Sequence, residues 1–135
     1  KPQVARVAGE SFTMVTGIDL AYDDLDTDKP EGFEAGPTEY PEDENIELDP
    51  DEDLPWPNPQ LIEQWWVTHR LPFTNGTRYL LGKPITVDSL HEVLRTGRQR
   101  HRIAAAIELA MRQPGTPLFN TNAPGFRQQA LLQAR

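Results

Sequence analysis

The sequence of 135 residues contains no cysteine. That single absence removes a disulfide framework, a thiolate zinc site and a cysteine nucleophile, so stability has to come from packing. Long apolar runs are missing too: the strongest, Ile103 to Ala110, is interrupted by Glu108 and falls far short of the ~20 residues a membrane helix needs. Lys1-Pro2-Gln3 leads into an amphipathic stretch and not into an apolar signal-peptide core. There is no GxSxG, Walker A or HExxH string. The three histidines, His69, His91 and His101, stand 22 and 10 positions apart, a spacing that matches no common metal motif. His91 and His101 fall on the polar faces of their expected helices, which reads as solvated surface. An initiating methionine is also missing, and the chain is expected to be a fragment of a longer protein.

Bases are scarce in one place. The formal charge is −8, but the stretch Asp19 to Asp53 holds 16 of the 21 acidic residues and one base, Lys29, so it carries −15 while the remainder carries +7. The same stretch is rich in proline and glycine. Its apolar residues are isolated: Leu20, Tyr22, Leu25, Phe33, Tyr40, Ile46 and Leu48. Such a segment buries too little surface to order itself alone. Draping over the basic body, with those apolar residues as anchors, is the reading adopted, and a short extended piece is expected at Asn45 to Leu48. Asp24, Asp26 and Asp28, and again Asp43, Asn45 and Glu47, alternate like the opening of a calcium loop. Lys29 and Leu48 stand where such a loop needs glycine, and no glutamate follows at position twelve. A solvated acidic surface is therefore the default.

Local signals outside that insert are helical. Val4, Val7, Ala8, Phe12 and Val15 fall at helical spacing and predict an amphipathic helix over Val4 to Thr16, stopped by Gly17. Asn58 followed by Pro59 reads as a cap and first turn for a helix to Thr68, with Leu61, Ile62, Trp65 and Trp66 on its apolar face. Asn75-Gly76 is a turn signal that would join Phe73 to Tyr79-Leu80 as a small hairpin. Thr86 caps a helix over Val87 to Thr96, with Val87, Leu90, Val93 and Leu94 as its stripe. Gly97 stops it, and a second helix runs from Arg98 to Gln113 with Ile103, Ala106, Ile107, Ala110 and Met111 apolar. Together these form an αα-hairpin. A last helix is expected over Gly125 to Ala134.

The run Leu90-x-x-Val93-Leu94-x-x-Gly97-x4-Arg102-x-Ala104-Ala105-x3-Leu109-Ala110 resembles a HEAT-like repeat. Small alanines let its second helix approach a neighbour closely. Val4 to Phe12 looks like the second helix of another repeat, whose first helix would lie upstream of Lys1. With Asp53 to Pro57, Gly76 to Pro84 and Pro117 to Gln128 following in that order, nearly the whole chain resembles the C-terminal part of a bacterial HEAT-repeat family encoded beside type VI secretion genes. The resemblance implies a mainly α fold of HEAT-like hairpins with a long acidic, proline-rich loop and room for one small β-hairpin. It divides the chain into residues 1–17, the second helix of a truncated repeat; residues 18–57, the acidic insert; and residues 58–135, a helical region containing the hairpin 86–113. It implies a bacterial cytoplasmic, non-catalytic scaffold or adaptor for protein partners such as a type VI effector or spike component, with no cofactor, no metal and no membrane insertion.

The candidate partner-binding residues are Arg95, Arg98, Arg100, Arg102 and His101, together with Trp56 between its two prolines. Arginines crowding a helix N-terminus oppose the macrodipole, so something negative should lie near them. Acids of residues 19–53 are expected to contact this group or neighbouring bases. Two other readings are kept open. One is nucleic-acid binding through the same Arg95–Arg102 group, which the −15 segment disfavours. The other is a hydrolase or lyase pairing carboxylates of the insert with His69.

Overall fold

A computed structural model describes residues 1–133 of the chain. The described residues are mainly helical: α1 (Pro2–Thr16), α2 (Pro59–His69), α3 (Val87–Thr96), α4 (Gln99–Arg112) and α5 (Gly125–Gln133). Two short antiparallel ladders accompany them: β1 (Asp26–Thr27) with β2 (Trp56–Pro57), and β3 (Tyr79–Leu80) with β4 (Lys83–Pro84). The predicted end of the last helix, Ala134, lies outside the described residues. No described helix is long and apolar enough to cross a membrane. The chain divides into two units, Lys1–Thr13 with Gly17–Thr74, and Met14–Thr16 with the residues from Asn75 onward.

In the first unit, α1 forms where the spacing predicts a helix, but it turns the other way. Val4, Val7, Ala8 and Val15 face solvent, and the buried line is Arg6, Gly9 and Thr13. Gly9 decides this. A Cβ there would stand 2.9 Å from Cδ1 of Leu20 and 3.2 Å from Cβ of Pro57. Only a bare backbone admits the start of the insert and the residue before Asn58 so closely. Ile18, Leu20 and Leu25 are buried, with Phe12, Leu61, Ile62 and Trp65 against them. Phe12 meets Trp65 edge-on at 5.6 Å and Trp66 at 6.2 Å, the arrangement that aromatic quadrupoles favour. Asn58 caps α2 as its sequence predicts, its Oδ1 accepting the N–H groups of Gln60 and Leu61 at 3.2 Å.

The insert leaves and rejoins this unit through two residues on each side. Asp26 pairs with Pro57 and Thr27 with Trp56, and the Asn58 N–H donates to the Leu25 carbonyl at 2.8 Å. Residues 28–55 form the loop between. Of the expected anchors, Leu20 and Leu25 are buried and Phe33 is half-buried, whereas Tyr22, Tyr40, Ile46 and Leu48 are exposed. The expected extended piece at Asn45 to Leu48 is not a strand. Asp43 accepts the Asn45 N–H (2.9 Å), Asn45 accepts the Glu47 N–H (3.0 Å) and Asp49 accepts the Asp51 N–H (3.0 Å). The alternation that imitates a calcium loop is thus spent on a succession of Asx turns.

The core of the second unit is Leu80, Leu90, Val93, Leu94, Ala105, Ala106 and Leu109. α3 and α4 form the predicted hairpin, joined by Gly97-Arg98. Thr86 and Ser89 form a reciprocal capping box at the start of α3. Gly97 is required by space and not by its dihedrals: its φ is −72°, but a Cβ would lie 2.7 Å from the Val93 carbonyl oxygen.

The β-hairpin sits later than Asn75-Gly76 suggests. Leu81 (φ 51°) and Gly82 (φ 75°) form the turn between β3 and β4, the pair of positive φ values that a type I′ turn demands. Its register is set from outside the hairpin. The Leu81 N–H donates to the Met14 carbonyl at 2.7 Å and the Gly82 N–H to the Val15 carbonyl at 3.0 Å. The turn therefore satisfies two carbonyls that the last turn of a helix otherwise leaves open.

Candidate functional site

The strongest polar constellation of the first unit centres on Arg6, a residue that the sequence patterning overlooks. It lies on the buried face of α1, and its guanidinium stands 4.7 Å from the Trp56 ring centroid and 5.7 Å from that of Phe33. Those two rings meet edge-on at 4.9 Å. Arg6 donates to Oδ2 of Asp49 at 2.6 Å and to the Asp51 carbonyl at 2.9 Å. A desolvated cation is thus held between two π faces, a carboxylate and a carbonyl. The Asp51 N–H in the first place, then Arg6 and the more distant charge of Lys29, hold the Asp49 carboxyl below its ordinary value of 3.8 against the opposing effect of burial. The Thr38 hydroxyl, together with the N–H groups of Asn45 and Thr38, lowers Asp43 in the same direction.

Around this centre the loop encloses an open cavity of about 820 Å³, with Arg6, Lys29, Phe33, Tyr40, Asp49 and Trp56 in its lining. Trp56, a candidate partner-binding residue in the sequence, is half-buried and serves as the platform under Arg6. Asp49 of the insert takes its base from α1, where the sequence suggests the arginine group or neighbouring bases. The reason is local: Arg6 is already desolvated beside Trp56, and Asp49 is the carboxylate the closing loop delivers to it.

The arginine group itself divides. Arg102 faces inward, its Nε donating to the Leu94 carbonyl at 2.8 Å and its guanidinium to Gln128. The negative partner demanded by arginines near the start of α4 is in part the carbonyl end of α3. His101 is buried, contrary to its expected solvated position, because the tight Gly97 turn rotates it inward; its Cβ lies 3.2 Å from where a Gly97 Cβ would stand. Arg95, Arg98 and Arg100 are exposed, and Arg95 reaches the Leu132 carbonyl at 3.3 Å. His91 is half-buried.

A second constellation missed in the sequence is Glu108, buried on α4, which receives both guanidinium nitrogens of Arg78 and has Arg112 at 3.8 Å. Its signal was a lone carboxylate inside the most apolar run of the chain. Arg78 and Glu108 border a smaller cavity of about 320 Å³ that also has Met14, Val15, Ile85 and Ile107 in its lining.

His69 is packed back onto its own helix. Its ring stacks on Trp65 at 4.5 Å, and its Nδ1 lies 2.8 Å from the Trp65 carbonyl, which can only accept. Nδ1 also lies 2.7 Å from the neighbouring Thr68 hydroxyl, and His69 is absent from the lining of the large cavity. Among the described residues, no group of three or more His, Asp or Glu is placed to hold a metal ion. Comparison of the chain with protein-family models, with curated proteins and with solved structures gives no match in any of the three.

Proposed function

We propose that this protein is a non-catalytic helical-repeat scaffold or adaptor, that α3 and α4 form one HEAT-like repeat, and that it acts in the bacterial cytoplasm to recruit an effector or spike component for type VI secretion. The observation that carries the reading is the way helices turn apolar side chains outward. α1 presents Val4 and Val7 to solvent, and α4 presents Ile103, Ile107 and Met111. Stacked helical repeats use such faces to meet a neighbouring repeat or a partner. The alanines at 105 and 106 lie buried against α3, as close helix approach requires. The secretion context comes from the motif resemblance and from nothing in the geometry.

The test is affinity capture of the tagged protein from a bacterium that carries a type VI system, alongside a Val4→Glu/Val7→Glu variant. The reading expects spike or effector components with the parent protein and their loss with the variant. Capture that contains no secretion component overturns it.

A further inference from the structure

Two exposed surfaces of this chain are complementary in charge and both apolar. On α4, Ile103, Ile107 and Met111 recur every four residues and are 41 to 60% exposed. Arg100, three residues before Ile103, falls on the same face by helical periodicity and is exposed, as are Arg95 and Arg98. No acid occurs between Val93 and Ile107. The stripe is therefore an apolar row with a cationic end. On the loop, Tyr40, Ile46 and Leu48 are 72 to 87% exposed, and exposed Glu39, Glu42, Glu44 and Glu47 are interleaved with them. That segment is an apolar row inside an anionic field. Its shape is set by the Thr38–Asp43 contacts (2.6 and 2.8 Å) and the Asx turns, so it is presented as a formed surface, and docking it costs little ordering entropy.

We propose that the occupant of the α4 stripe is the Glu39–Leu48 segment of a second copy of this chain, which gives a head-to-tail association. Tyr40, Ile46 and Leu48 of one copy cover Ile103, Ile107 and Met111 of the next, and the glutamates face Arg95, Arg98 and Arg100. Because the two surfaces are different patches, the contact is heterologous, and each copy keeps one unused half at either end of a dimer. The association is weak and salt-sensitive, since exposed charges supply much of it. The inference shares the α4 stripe with the adaptor reading but does not use α1's outward valines, which are what the capture experiment substitutes, so the two can fail separately.

The experiment is sedimentation velocity on the 135-residue chain at about 10 to 500 μM, in low salt and in about 0.5 M NaCl, where charges beyond a few ångströms are screened. Two variants are compared, both checked for unchanged far-UV circular dichroism: a stripe variant (Ile103→Gln/Ile107→Gln/Met111→Gln) and a loop variant (Tyr40→Ser/Ile46→Ser/Leu48→Ser). The expected result is concentration-dependent self-association of the parent that high salt weakens at least tenfold, with each variant monomeric alone. An equimolar mixture of the two variants then recovers a 1:1 complex that grows no further, because each brings one intact half. A parent that stays monomeric at every concentration overturns the proposal. So does a loop variant that associates like the parent, the signature of a symmetric stripe-to-stripe dimer, and so does a mixture of variants that stays monomeric.

Discussion

A buried arginine on a helix otherwise lined by glycine and threonine fixes how the acidic loop is held. Arg6 carries a cation–π contact worth about 0.5–2 kcal/mol and a charge-assisted bond to the Asp51 carbonyl, worth roughly 1.5–3 kcal/mol. Arg6→Ala is therefore expected to cost about 2–5 kcal/mol in urea unfolding and to open the loop to a glutamate-specific protease. Asp49→Asn is expected to cost less, since the carbonyl and ring contacts survive. The pH dependence follows from the direction of the Asp49 shift. A carboxyl held below its ordinary value of 3.8 contributes its full share of stability above that value and loses it as the pH falls through the folded value. The indole NMR signal of Trp56 is expected to hold its position from neutral pH down to about pH 4 and to move below it; in Asp49→Asn the part of that transition due to Asp49 disappears. None of this was legible in the helical periodicity. The periodicity selects Val4, Val7 and Val15, whereas the buried face is chosen by Gly9 and by a carboxylate 43 residues away.

Helices and their ends were the legible elements, because caps are local. Asn58 with Pro59, the Thr86 cap and the Gly17 stop each state a boundary within a few residues of itself, and each is found; the Ser89 half of the box at Thr86 is added by the structure. Thr86→Ala removes the half of the capping box in which Thr86 Oγ1 accepts the Ser89 N–H, leaves the Thr86 N–H to Ser89 Oγ half, and is expected to cost about 1 kcal/mol in thermal or urea unfolding; Thr86→Ser is expected to be nearly neutral. The small hairpin was misplaced by one turn because its chemistry is not local. Asn75-Gly76 is the better turn dipeptide, yet Leu81-Gly82 takes the positive φ values because its two N–H groups answer the open carbonyls of Met14 and Val15. Arg102 teaches the same lesson. In sequence it is one of four clustered arginines, and only the placement of the α3 carbonyl end and of Gln128 separates it from the exposed three.

For the molecule as a whole, the charge of −8 describes no surface. The negative stretch is held by Arg6 together with its own Asx turns and the Thr38–Asp43 contacts, and Arg95, Arg98 and Arg100 are exposed at the α3–α4 end. Three phosphate contacts from this group alone give a salt slope of about −2.7, a weak hold on a duplex. Fluorescence anisotropy with labelled duplex DNA at about 0.15 M salt is expected to show no saturable binding, and a steep salt slope would bring the nucleic-acid reading back. The scarcity of bases in the loop has a further, practical outcome. Between Arg6 and Arg70 the only lysine or arginine is Lys29, and Pro30 follows it. Trypsin cleaves poorly before proline, so residues 7–70 leave a tryptic digest as one long acidic peptide whether the loop is closed or open. In a peptide-based census the Arg6 clamp and the whole loop are therefore silent, and a glutamate-specific or chymotryptic digest is what makes this half of the protein countable.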